Sequence, residues 1–304
     1  MTAPGDRSIL DGGMARVSAV VVNWNGGSAL VECLASLFAS DDPGGGDLEV
    51  ILVDNASTDG SQREAIAAFP QARLIQNDEN EGFARGGNRA LRLARGAFVL
   101  LLNPDVVLAA PAVATLLTFL TAHPEAAIAG PLVLDPDGRR QGSARRDPSP
   151  WTGLFGRSAV LTRMFPGNPL SRRELPGMGY AGDAPMPVDW LAGACLMVRR
   201  AAYEEVGLLD ERFFLYWEDA DWCLRFRKAG WKIYYVPAAR AVHRVGVSRA
   251  WRPVRSALDF HWSAYYFYRK HFLPSALHPM IVPLVGGLAL HAVLRVGRAL
   301  AGRR

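Results

Sequence analysis

Cysteine is scarce in this chain, three among 304 residues. Cys33, Cys195 and Cys223 form no C-x-x-C pair and their number is odd. That excludes a disulfide framework and predicts reduced thiols packed among apolar neighbours in a cytosolic compartment. An uninterrupted apolar run of about 20 residues, the length a membrane span needs, is also missing. The first 16 residues hold Pro, Gly, Asp and Arg but no apolar core, so they read as a flexible leader rather than a signal peptide. No repeat of fixed period recurs. No basic stripe interleaved with stacking aromatics is present either, which argues against a nucleic-acid binder.

What is present is half apolar, at 50% hydrophobic and 21% charged, enough for one large domain or a domain with an appendage. The net charge of +5 favours anionic partners such as nucleotide-sugars or phospholipid headgroups. Apolar strand-like runs at residues 17–22, 48–53, 72–76 and 97–102 alternate with helical spacing at 28–39, 60–69 and 86–95. A turn cluster, Asp41-Asp42-Pro43-Gly44-Gly45-Gly46, separates the first helix from the second strand. This alternation predicts β-α-β units, hence an α/β fold around a mostly parallel sheet. Residues 136–187 are rich in Pro, Gly, Ser and Arg and read as long loops. A strand with its approach loop follows over 188–198, a helix over 220–229 and a last strand over 231–236.

Three strands end in polar loops: Asn23-Trp24-Asn25-Gly26, Asp54-Asn55-Ala56-Ser57-Thr58-Asp59-Gly60-Ser61 and Asn103-Pro104-Asp105. In a parallel sheet these fall on one edge, where ligands bind. Pro104 ends the ladder and exposes Asp105, an oxygen ligand suited to Mg2+ or Mn2+. Helix capping explains Ser57 and Thr58 but not Asp54-Asn55, a carboxylate–amide pair suited to a base or ribose edge. Asn80-Glu81-Gly82-Phe83-Ala84-Arg85-Gly86-Gly87-Asn88 reads as a glycine-rich loop entering a helix, open to phosphate or equally a tight turn. In Phe213-Phe214-Leu215-Tyr216-Trp217-Glu218-Asp219-Ala220-Asp221, Glu218 and Asp219 sit ahead of the helix among aromatics, where a carboxylate becomes a useful base. Asp221 and Arg225 form an i,i+4 scaffold pair. His243, past the last strand, becomes a metal ligand only in company with Asp105.

Taken in order, VVVNWNG, LVDNASTDGS, NEGFARGGN, LLNPDV, DWLAGACLMVRR and DERFFLYWEDADWCLRFRKAGWKIYYVP resemble the family 2 glycosyltransferases, inverting enzymes of GT-A fold, in their rhamnosyltransferase-like branch. The resemblance implies a nucleotide pocket lined by Val22, Asn23, Asp54 and Asn55 and completed by Asn80, Gly82 and Asn88. It implies a D-x-D motif at 103–105, with Asn103 in place of the first acid and Asp105 as the main metal ligand. Asp219 matches the family's base, with Glu218 and Trp217 near the acceptor and His243 a metal or pyrophosphate contact. The expected cofactor is Mg2+ or Mn2+, and the expected donor a nucleoside-diphosphate sugar, dTDP-rhamnose being the best match. The acceptor would be a saccharide or a lipid-linked saccharide of the cell surface. A nucleotidyltransferase, or a non-catalytic membrane-associated protein on a transferase fold, are the alternatives. The domain is expected over 17–250. A helical extension at 251–304, apolar over 280–294 and followed by Arg295, Arg298, Arg303 and Arg304, would lie on the inner face of the membrane or pack on the domain.

Overall fold

The computed structural model describes residues 17–40, 48–147, 175–178, 180, 182–244, 253–273, 275 and 278–301. The leader, the turn at 41–46, most of the loop-rich segment and the terminal arginine pair lie outside the described residues.

The first strand, β1 (Val17–Asn23), pairs in parallel with β2 (Leu48–Asp54) and β4 (Phe98–Leu102), and β2 with β3 (Arg73–Gln76). Their crossovers are α1 (Ser28–Phe38), α2 (Ser61–Ala68) and α3 (Gly82–Leu91). Beyond β4 the sheet becomes mixed. It continues through β5 (Val106–Leu108), α4 (Ala112–Ala122), β6 (Ala126–Leu134), β8 (Met186–Val188) and β10 (Cys195–Arg199), with a small β7 (Ala144–Arg145) and β9 (Trp190–Leu191) ribbon. The last elements are α5 (Arg200–Val206), α6 (Glu218–Lys228), β11 (Lys232–His243), α7 (Pro253–His271) and α8 (Ile281–Ala301). The strand order is β3-β2-β1-β4-β10-β6-β11-β5, with β8 on β11.

Period-two burial divides the apolar residues of each strand between two helical layers. Ala19, Val21, Leu52 and Leu100 face α1 and α4. Val20, Val22, Ile51 and Leu101 face α3, α5, α6 and α7. A two-sided core of this kind explains why the strands read as continuous apolar runs.

Two elements differ from the sequence expectation. The helix expected from Gly86 begins four residues earlier, at Gly82, so most of the glycine-rich stretch lies inside α3. A Cβ on Gly86 would stand 3.0 Å from Val22 Cγ1, so the glycines let the helix lie close to the sheet. The last strand runs seven residues past Val236, because the ladder with β6 slips between Val236 and Arg240, around Pro237, and then resumes. A proline that cannot donate marks that slip. The resumed stretch pairs Ala241, Val242 and His243 with Leu108, Val107 and Val106.

Candidate active site

The parallel register sets Asn23 directly opposite Asp54, and Val21 opposite Leu102 one residue before Asn103. Three polar loops therefore share one sheet edge, as the sequence implied.

The first two loops are knitted to each other. Asn23 Nδ2 donates to Asp54 Oδ1 at 2.8 Å and to Ser61 Oγ at 2.9 Å. Asp54 also accepts from the Ser57 amide and hydroxyl and from Gln76 Nε2, so both carboxylate oxygens are engaged. Asn25 Oδ1 accepts the Thr58 amide, and Asp59 Oδ2 accepts the Gly27 amide. Asp54 thus organises the edge rather than offering a free carboxylate. Asn55 is similarly engaged, donating to Gly82 O and accepting from Asn77. Asn80 Oδ1 receives the Gly82 amide. Asn88 is used at both ends by Leu209 and Glu211, which fixes α3 to the loop before the acidic turn. One buried acceptor on this edge, Asn23 Oδ1, has no partner among the described residues.

The second centre is Asp105 with His243. The β5–β11 pairing brings them together, with His243 Nε2 3.1 Å from Asp105 Oδ1. Gln141, which no sequence motif marks, sets the ring. Its Nε2 donates to Asp135 Oδ1 and to His243 O, both at 2.7 Å, so its Oε1 must be the acceptor facing His243 Nδ1 at 2.9 Å. Nδ1 then donates to Gln141, and Nε2 is the ring atom that faces the Asp105 carboxylate. A carboxylate and an imidazole nitrogen side by side suit a divalent cation whose other ligands are water and phosphate oxygens. No group of three or more His, Cys, Asp or Glu side chains is placed to hold a metal ion among the described residues, so protein alone would not complete such a shell.

The third centre is the acidic turn. Glu218 and Asp219 are the first two residues of α6 rather than ahead of it, where the helix dipole favours negative charge. Tyr216 and Trp217 before them are both left-handed, each with φ of 69°. That conformation costs an aromatic residue roughly 1–2 kcal/mol. Asp219 Oδ2 accepts the Gly193 amide at 2.7 Å and Oδ1 the Ala220 amide at 2.7 Å. A Cβ on Gly193 would lie 3.3 Å from the Asp219 carboxylate, which accounts for glycine there. Glu218 is 6% exposed and its Oε2 has no partner among the described residues. Burial, and then the Asp219 charge, hold the Glu218 carboxyl well above the ordinary glutamate range. Burial raises Asp219 as well, opposed by the Gly193 amide and the Arg145 guanidinium. The pair is therefore arranged to hold one proton on Glu218 and leave Asp219 ionised.

A single peptide segment joins the last two centres. Ala194 O accepts the Asn103 amide at 3.0 Å, while its neighbour Gly193 donates to Asp219. Asp221 and Arg225 do pair, at 2.8 Å, but Asp221 is wholly buried and shared with Lys270 and His271.

The sequence model of the family described as "Glycosyl transferase family 2" matches residues 18–207. The chain is 35% identical to the N-acetylglucosaminyl-diphospho-decaprenol L-rhamnosyltransferase of Mycobacterium tuberculosis H37Rv, over 94% of each chain. Among solved structures it is similar to GalNAc-T7 with UDP, GalNAc and Mn2+ at a TM-score of 0.58 and 19% identity, covering 77% of this chain and 44% of that one. It is also similar to the Pyrobaculum calidifontis mannosyltransferase in complex with GDP-Man and Mn2+, at a TM-score of 0.55 and 20% identity, covering 95% and 74%.

Proposed function

The chain belongs to glycosyl transferase family 2, and we propose that it is an inverting enzyme moving L-rhamnose from dTDP-rhamnose to a lipid-linked saccharide in cell-surface polysaccharide assembly. The sugar and the acceptor class follow the activity of the M. tuberculosis relative, to which the chain aligns over 94% of each. The nucleotidyltransferase and non-catalytic alternatives are set aside with the family.

The observation that carries the chemistry is the acidic turn. Asp219, ionised beside a neutral Glu218 and oriented by Gly193, is the base that takes the proton of an acceptor hydroxyl. The oxygen then attacks the anomeric carbon from the face opposite the leaving nucleoside diphosphate. One base and stabilisation of the leaving group suffice, unlike hydrolysis, which needs two carboxyl groups flanking the bond. Asp105 and His243 would hold Mg2+ or Mn2+, which neutralises diphosphate charge when bound. The nucleotide lies along the β1–β2–β4 edge, with Val22, Asn55, Asn80, Gly82 and Asn88 shaping its walls and Asp54 bracing the loops. On this reading Asn103, half-buried at the end of β4, is offered to the ligand, whereas Asn23 is wholly buried and braces the loops with Asp54.

No described helix is long and apolar enough to cross a membrane. The outer face of α8 nevertheless leaves Val282, Leu290, Val293 and Leu294 exposed, and α7 leaves Trp262 exposed. Between residues 260 and 304 lie six Lys and Arg and no acid, so the residues before them total one negative charge against the chain's +5. An apolar face with the chain's whole positive excess suits an anionic lipid surface, the cytoplasmic leaflet where a lipid-linked acceptor would be met. On this reading the transferase unit of residues 17–250 carries its 251–304 extension as the membrane contact.

The test is transfer by the purified chain from dTDP-, UDP- and GDP-sugars to a polyprenyl-diphosphate-linked GlcNAc, with Mn2+, Mg2+ or EDTA and beside Asp219→Asn. Metal-dependent release of one nucleotide that Asp219→Asn abolishes supports the reading. Release that survives Asp219→Asn removes Asp219 as base, and failure to use any donor with that acceptor removes the activity. Co-sedimentation with anionic but not zwitterionic vesicles, lost on removal of residues 274–304, tests the membrane contact.

A further inference from the structure

The acidic turn has little of its own to keep it in shape. Two successive left-handed aromatics lead into Glu218 and Asp219; the turn meets Gly193, Gly82 and Phe83 of α3, and the Trp190 ring of β9, stacked 6.4 Å from Trp217. Its most numerous further supports come from a helix far along the chain. Ser263 Oγ donates to Leu215 O at 2.9 Å, and Ser256 Oγ shares a hydrogen bond of 2.8 Å with the Tyr216 hydroxyl. The Trp217 ring lies against Phe260 and Phe267, with centroids 5.9 and 5.1 Å away. On the far side of the acids, Asp221 accepts from Lys270 Nζ at 2.5 Å and His271 Nε2 at 2.7 Å.

These contacts have an order. Ser256, Phe260, Ser263, Phe267 and Lys270 are spaced four, three, four and three residues apart, one continuous stripe along α7. They meet Tyr216, Trp217, Leu215 and Asp221, so the stripe grips the turn both before and after Glu218 and Asp219. The serines and Asp221 are buried, which makes these bonds independent of solvent.

We propose that α7 is a splint for the catalytic turn, with Ser256, Ser263 and Lys270 as positioning residues that hold Asp219 in its reactive place. The proposal rests on Asp219 as the base. It extends the catalytic apparatus about fifty residues beyond that base, and well past the segment the family model matches. The helix that carries the lipid-facing α8 is then also the one that shapes the base.

The experiment compares the full chain with Ser256→Ala/Ser263→Ala, with Ser263→Thr, which keeps the hydroxyl, and with Lys270→Arg. Hydrogen exchange at the Gly193 amide reports the Asp219 position without any need for turnover. In the double variant that amide should exchange roughly tenfold faster, the loss of one or two ordinary hydrogen bonds, while amides of β1 and β2 are unchanged. The kcat should fall roughly tenfold with donor KM unaltered, as for a misplaced catalytic group. Ser263→Thr and Lys270→Arg, which keep the donors, should leave both at the wild-type level. Unchanged exchange at Gly193 overturns the splint, whichever sugar is transferred. Exchange that rises equally in β1 and β2, or a donor KM that rises with the fall in kcat, overturns it too by making α7 a general stabiliser. A wild-type chain that transfers nothing defeats the proposed activity and leaves the exchange result to decide the splint.

Discussion

The nucleotide edge and the acidic turn are built in opposite ways. At the edge, Asp54 alone gathers four donors, and the β1 and β2 loops close on each other through Asn23, Asn25, Ser57 and Asp59. At the turn, two residues are left-handed, Glu218 Oε2 and Trp217 Nε1 lack partners among the described residues, and support comes from a helix near the end of the chain. A surface that must fit one ligand can be rigid and self-satisfied. A base must keep a lone pair for the incoming proton, and here the strained turn that carries it is held from outside. Damage at the first should therefore appear as lost stability, and damage at the second as lost rate.

The sharpest division of the two is Asp219→Asn. It should lower kcat by roughly 10^2–10^4-fold, the ordinary worth of a general base, with little change in thermal midpoint. A large loss of stability instead would erase the contrast. Asp54→Ala should do the reverse and cost about 3 kcal/mol by urea unfolding, because several donors lose a buried partner at once. If it left stability intact and only weakened nucleotide binding, Asp54 would be a ligand group and not a brace. Gln141→Leu should weaken Mn2+ binding, measured by calorimetry with a nucleoside diphosphate present, by about 10–100-fold. Unaltered affinity would remove Gln141 from the metal centre.

The smallest effect concerns Glu218. Its folded pKa is raised, so its contribution to stability is complete below the ordinary glutamate range and is lost as pH climbs toward the raised value. Glu218→Gln removes that loss. The variant should thus gain on the wild type as pH rises, with a limiting slope of about 1.4 kcal/mol per unit, and the gain should vanish in acid. A difference independent of pH would show that Glu218 is not buried as a neutral acid.

Legibility followed the same division. β1, β2 and β4 announced themselves as apolar runs closing on Asn23, Asp54 and Asn103, because a strand buried on both faces leaves only that composition open. The acidic turn was visible as a cluster of acids among aromatics. Its place in the first turn of α6 was not, since helix starts marked by no Ser, Thr or Asn cap are hard to place. The first turn of α3, from Gly82, read as loop because glycine's usual use is conformational, whereas at Gly86 it is the absence of a side chain beneath Val22 that matters. His243 was singled out in the sequence and does lie beside Asp105, but the strand carrying it was cut short at Pro237, where the pairing slips and then resumes. Gln141 and Ser263 could not be found at all. Each acts through hydrogen bonds to a residue about 50 to 100 positions away, and a single amide or hydroxyl side chain carries no pattern.

The scarcity of cysteine has an experimental consequence. All three thiols are 0–1% exposed, and burial pushes those of Cys33 and Cys223 up to about 12, far from the thiolate that alkylating dyes require. The native chain is therefore chemically silent toward such reagents, and a cysteine introduced at exposed Val293 would be its single reactive point. A polarity-sensitive fluorophore attached there would report, turnover by turnover, whether the outer face of α8 sits in water or in lipid while the base does its work.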